Sequence, residues 1–194
     1  MILYFVRRLK IMKLVRELRT AIAVEAIKFS GDIKDQYHDK LNRATLTLGA
    51  LGFYIHVLDR VSVRRNSDAL REATCGPTAY RLVRLFAKMS SELDAGSVKT
   101  TKDDALNYVN LRCSEYRGAT SVLGSGAQDT TSALWLAASA IAADVGHPRQ
   151  AMLVLFIQER LLQGIMVLRL AQRVEAMETL LGSPLRLGLT RAYR

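Results

Sequence analysis

His56 and Asp59, three residues apart with Arg60 beside them, are the side chains whose types and spacing could begin a chemical site. Residues three apart share one face of a helix, so the carboxylate would orient the imidazole or pair with it. That is the start of an acid–base or metal site. Completing it would take groups from elsewhere: Tyr54 nearby, and Glu159 or Gln163 at the middle of a distant helix. A metal site needs three or four ligands, and His38 and His147 are the only other imidazoles. The plainer reading is a buried polar pair or pocket of His56, Asp59, Arg60, Glu159 and Gln163. No metal, cofactor or catalytic residue is expected, and the chain is read as a non-enzyme.

Two other stretches have chemistry-bearing composition. Cys75 and Cys113 show no CxxC spacing and no flanking histidines, so they read as buried thiols that behave as small hydrophobes. So few cysteines make a reducing, cytoplasmic setting the default. The segment ATSVLGSGAQDTT, residues 119–131, holds Gly124-Ser125-Gly126 ahead of a helix. Such a loop can cradle phosphate on backbone N–H groups, but no strand precedes it and the Gly-Lys-Ser/Thr of a P-loop is missing. It reads as a flexible connection, with Asp129 or Thr130 capping the helix that follows.

Charge is the second functional signal. The 194 residues carry a net +10. Six basic residues stand in 1–19 against Glu17 alone, and three arginines stand in 182–194, which leaves residues 20–181 at +2. Basicity at the two ends suits arms better than a broad basic face. Arg7, Arg8, Lys10 and Lys13 in the first arm are candidate binding residues. Arg81, Arg84 and Lys88 share a face in the helix after Cys75-Gly76-Pro77. A basic helix after a glycine turn is what a helix–turn–helix reader of DNA would need. Glu72, however, stands where a small residue is usual.

The elements that must position these groups are helices. Three prolines in the whole chain and abundant leucine and alanine favour long ones. Residues 4–29 place Ile11, Val15, Leu18, Ile22, Ala26 and Phe29 on one stripe, with Ser30-Gly31-Asp32 as its stop signal. Asp35 to Arg65 should form a second helix, whose Gly49 and Gly52 invite another helix close beside Phe53 and Tyr54. Ser67 would cap a third helix, the turn at Gly76-Pro77 would open a fourth, and Asp94 to Thr100 would be a loop. Thr101 with Asp104 forms a capping box for the next helix, which Gly118 closes. Residues 131–145 make an alanine-rich helix with Trp135. Gly146-His147-Pro148 then turns into Pro148–Leu181, a 34-residue run with Gly164 its single glycine.

These features predict an all-α fold: a single-domain bundle of about six helices around a long C-terminal central helix. Its divisions are a basic amphipathic helix over 1–30, the bundle over 31–181 and a basic tail over 182–194. Met12 is an alternative start. The Arg-rich opening shares some character with an organelle transit peptide, but it is no secretory signal. No uninterrupted apolar run reaches the ~18–20 residues of a membrane span.

The function expected is a non-enzymatic helical interaction protein: an oligomeric adaptor, chaperone-like protein or regulatory subunit. Its partner would be a second copy or another helical protein. The alternative is a nucleic-acid-binding regulator using the basic termini and the Arg81/Arg84/Lys88 face. Binding of an anionic membrane surface through 1–19 ranks below both.

Overall fold

The computed structural model describes residues 2–37, 41–64, 68–93, 100–124 and 129–182. Among them the fold is all-α, with six helices, the last bent into two arms. They are α1 (Ile2–Tyr37), α2 (Arg43–Arg64), α3 (Asp68–Leu93), α4 (Lys102–Arg117), α5 (Ala133–Asp144), and the arms α6 (Ala151–Leu168) and α7 (Leu170–Gly182). His38, Ser67 and the tail from Ser183 lie outside the described residues.

The helix with neighbours on all sides is α2. Residues 46–58 are buried without interruption, and α1, α3, α4, α5 and α7 all pack against it. Asn42 starts it, its side-chain oxygen accepting from Thr45 N at 2.8 Å. Gly49 lets α5 approach: a Cβ there would lie 2.5 Å from Ile141 Cγ1. The close crossing expected at this glycine pair is therefore present at Gly49.

Two expected stops do not stop their helices. α1 runs through Ser30-Gly31-Asp32, because Leu18, Ile22, Ala26, Phe29 and Ile33 form one fully buried stripe. A glycine inside a helix costs roughly 1 kcal/mol, which burial of the Ile33 side chain offsets. α3 is likewise continuous through Gly76-Pro77. Cys75, Thr78, Leu82, Val83 and Phe86 stay buried on one face across the proline, while Gly76 and Pro77 face solvent. The helix–turn–helix expectation loses its turn. Ser62 of α2 receives a hydrogen bond from the Cys75 thiol at 3.3 Å, which fixes that face against α2.

Thr101 caps α4 as expected, accepting from Asp104 N, and Gly118 closes it. The cap of α5 is Ser132, which accepts from Trp135 N. Asp129 instead ties down Thr131 beside it. Ser121 and Val122 are pinned to the start of α5 by Ala133 N to Ser121 O and Leu134 N to Val122 O.

The C-terminal helix begins at Ala151, three residues past Pro148, and bends at Arg169. There Arg169 takes a left-handed conformation, φ 47°. Arg173 Nε donates to the Leu168 carbonyl that the bend frees, at 2.9 Å. In α7 the narrow stripe of Leu170, Val174 and Met177 is buried, as its spacing implies. The α6 arm is less enclosed than its composition suggests, with Met152 69% exposed, Met166 70% and Val167 59%.

Candidate functional site

His56 is buried at 1% exposure, its ring edge-on to Tyr116 with centroids 5.5 Å apart. Its Nε2 has no hydrogen-bond partner among the described residues. Burial pushes its pKa down to about 4, helped by the Arg60 guanidinium and opposed by Asp59. Asp59 points elsewhere: Arg71 of α3 grips both its oxygens, Nε to Oδ1 at 2.6 Å and Nη2 to Oδ2 at 3.3 Å. The expected His56–Asp59 hydrogen bond is replaced by a clamp between α2 and α3. His56 is thus a neutral imidazole inside the core.

Glu159 and Gln163 do not reach His56 either. Gln163 Nε2 donates to Glu159 Oε1 at 3.1 Å on the outer face of α6. Arg160 donates to Gln163 Oε1 at 2.6 Å and pairs with Asp32 of α1. The mid-helix charges are satisfied at the surface, where they staple α6 to α1. What α6 presents to the core near Tyr54 is Gly164, where any Cβ would meet the phenol ring, 2.7 Å from Cζ. The Tyr54 hydroxyl is buried without a partner among the described residues, and burial holds it protonated far above its ordinary pKa.

Both cysteines are free thiols; Cys75 is buried, as expected, whereas Cys113 is only half-buried. Burial pushes the Cys113 thiol up to about 11, which leaves it a poor nucleophile at neutral pH. The basic groups split. Arg8, Lys10 and Lys13 are exposed, Arg7 is half-buried, and no residue of 6–17 is buried at all. Arg81, Arg84 and Lys88 are exposed on α3. A cluster that spacing alone did not single out joins α4 to α5. Arg112 contacts Asp144 and Glu115, at 2.5 and 2.8 Å, and Tyr108 donates to Asp144 at 2.6 Å. Both Nη groups of Arg112 are paired while its Nε is buried without a partner among the described residues, and the cluster reads as a clamp.

The feature with room for a ligand lies at the bend. A groove of about 330 Å³ opens between the end of α2, the 119–124 connection and the α6–α7 corner. Val57, Val61, Ile165 and Leu170 supply apolar walls, Val122 closes one side, and Arg60, Arg64 and Arg169 line it. None of these arginines forms an ion pair with a described residue, and no acidic side chain among the described residues lines the groove. Arg60 is the one member that sequence reasoning named. Arg64 follows it at i+4, a spacing that puts both on one face, but Arg169 joins them only through the bend. No known protein family, curated protein or solved structure matches this chain.

Proposed function

We propose that this chain is a non-enzymatic helical interaction protein that pairs with a second copy of itself through the outer face of α6. One observation carries the reading. The C-terminal helix is long and apolar enough to cross a membrane by length and composition, yet only 39% of its most apolar window is buried in the fold. Its exposed apolar residues Met152, Leu155, Met166 and Val167 lie along the outer face, while Leu162 is half-buried against the core. Apolar area of that kind calls for a covering surface.

A second copy fits that stripe by register. An antiparallel crossing centred at the level of Leu161 sets Leu155 opposite Val167 and Phe156 opposite Met166. It also sets Glu159 opposite Gln163, a carboxylate acceptor facing an amide donor. Each pair occurs twice in a two-fold interface. Light scattering over a concentration series tests it. The native chain should approach twice the monomer mass, and Leu155→Asp should return it to monomer without lowering the melting midpoint. A native chain that stays monomeric throughout sinks the proposal.

A second reading, binding of nucleic-acid phosphates, is favoured by the unburied N-terminal part of α1, where Arg8, Lys10 and Lys13 project. Affinity would then fall steeply with salt as counterions are released. Gel retardation at low salt decides it: no shift with DNA or RNA removes this reading.

A further inference from the structure

We propose that the groove at the α6–α7 bend binds a long-chain carboxylate, its alkyl chain on the apolar walls and its head between Arg60, Arg64 and Arg169. This goes beyond the pairing of α6 and does not depend on it. The volume of about 330 Å³ falls at the lower end of the ~300–1,000 Å³ range of small-molecule sites. Such sites are mostly apolar with a few convergent polar groups, and here three of the four polar lining residues are arginines, the Gln172 amide being the fourth. Three guanidinium groups line one groove with no carboxylate among its described lining residues, which gives it a positive field. Each presents a planar fork that matches a carboxylate in bidentate fashion. The walls of Val57, Val61, Ile165 and Leu170 offer nothing to a hydrated inorganic anion, but they would shield an alkyl chain from water.

Arg169 adds a second line of support. The left-handed conformation at the end of a helix is a glycine position in most proteins, because a Cβ there is strained. Here an arginine occupies it at φ 47° and lines the groove. Strain of this kind is retained where the side chain has work that glycine cannot do.

The test is calorimetric titration of the full chain with dodecanoate below its micelle concentration, with light scattering followed in the same samples. Dodecanoate should bind at one site per chain. Arg64→Ala and Arg60→Ala should each weaken it roughly tenfold or more, the loss expected for a charge-assisted hydrogen bond. Dodecanol should bind at least as poorly as these variants do. Arg169→Gly separates binding from folding: it should weaken dodecanoate while raising the melting midpoint. No binding of dodecanoate, or equal binding of dodecanol, overturns the proposal. Tighter binding of dodecyl phosphate overturns the carboxylate assignment. If Arg64→Ala changes self-association and leaves dodecanoate affinity untouched, the groove belongs to a subunit contact and the proposal fails.

Discussion

The second helix and the C-terminal helix are both long and apolar enough to cross a membrane, by length and composition, yet the fold treats them differently. In α2, 78% of the most apolar window is buried, against 39% in the C-terminal helix, the more apolar of the two. Neighbours make the difference. α2 is surrounded by α1, α3, α4, α5 and α7, whereas α6 packs chiefly on α5 and α1. Apolarity records how much surface a helix has to hide, and packing decides where it is hidden. For α2 the answer is inside this chain. For α6 an outer stripe is left over, and a second copy is the surface proposed to cover it.

The contrast can be broken most sharply by truncating one residue on each helix. Phe53 is fully buried in α2, so Phe53→Ala should cost about 3–5 kcal/mol in denaturant unfolding. Met166→Ala, on the exposed stripe, should stay within about 0.5 kcal/mol when measured on the monomer. Equal losses would mean that α6 is buried as deeply as α2.

The inner face of α6 should behave like α2. Gly164→Ala forces a methyl group onto the Tyr54 ring, and overpacking of that sort costs about 1–3 kcal/mol. Gly164 is where α6 lies against the Tyr54 ring of α2, so a neutral result there would dissolve that contact.

His56 supplies a smaller, pH-dependent effect. Its pKa is about 4 in the fold against about 6.5 in an unfolded chain. Between those values the unfolded chain holds the extra proton, so stability falls as the pH drops. It should be intact above pH ~6.5 and decline towards pH ~4 by at most about 1.4 kcal/mol per pH unit. His56→Leu should flatten this window in a series of melting curves. Arg169→Gly should show the opposite sign, a gain of about 1 kcal/mol as the left-handed strain is relieved.

The buried stripes and the two ends of α4 are legible in the sequence, and the other helix boundaries are not. Leu18, Ile22, Ala26 and Phe29, the Thr101–Asp104 cap and Gly118 all follow from local spacing and hydrogen-bonding chemistry. Ser30-Gly31 and Gly76-Pro77 misled because burial of Ile33, Cys75 and Thr78 outweighs the local breaking tendency. Pro148–Leu181 read as the centre because its first half is apolar nearly all round. That pattern cannot distinguish surface hidden in the core from surface left for a partner.

The groove was the least visible feature. Arg60 and Arg64 are neighbours by helical spacing, but Arg169 reaches them only because the helix bends at its own position. In the sequence, Arg169, Gln172, Arg173, Glu175 and Glu178 follow an almost wholly apolar stretch, a change in polarity that carries no sign of a bend. Three-residue spacing points Asp59 at His56. Arg71, twelve residues on, holds it instead, a pairing that depends on how α3 docks.

The most direct measurement of the proposed pairing is a cysteine cross-link between copies. Leu155 and Val167 lie twelve residues apart on one helix, about 18 Å at 1.5 Å per residue. A disulfide needs Cα atoms within about 7 Å, so the two positions cannot bridge within one chain. In the antiparallel crossing they face each other across the interface. The Leu155→Cys/Val167→Cys double variant should therefore form a covalent dimer on mild oxidation, and Leu155→Cys alone should not. A double variant that stays monomeric with both new thiols free would contradict pairing through α6.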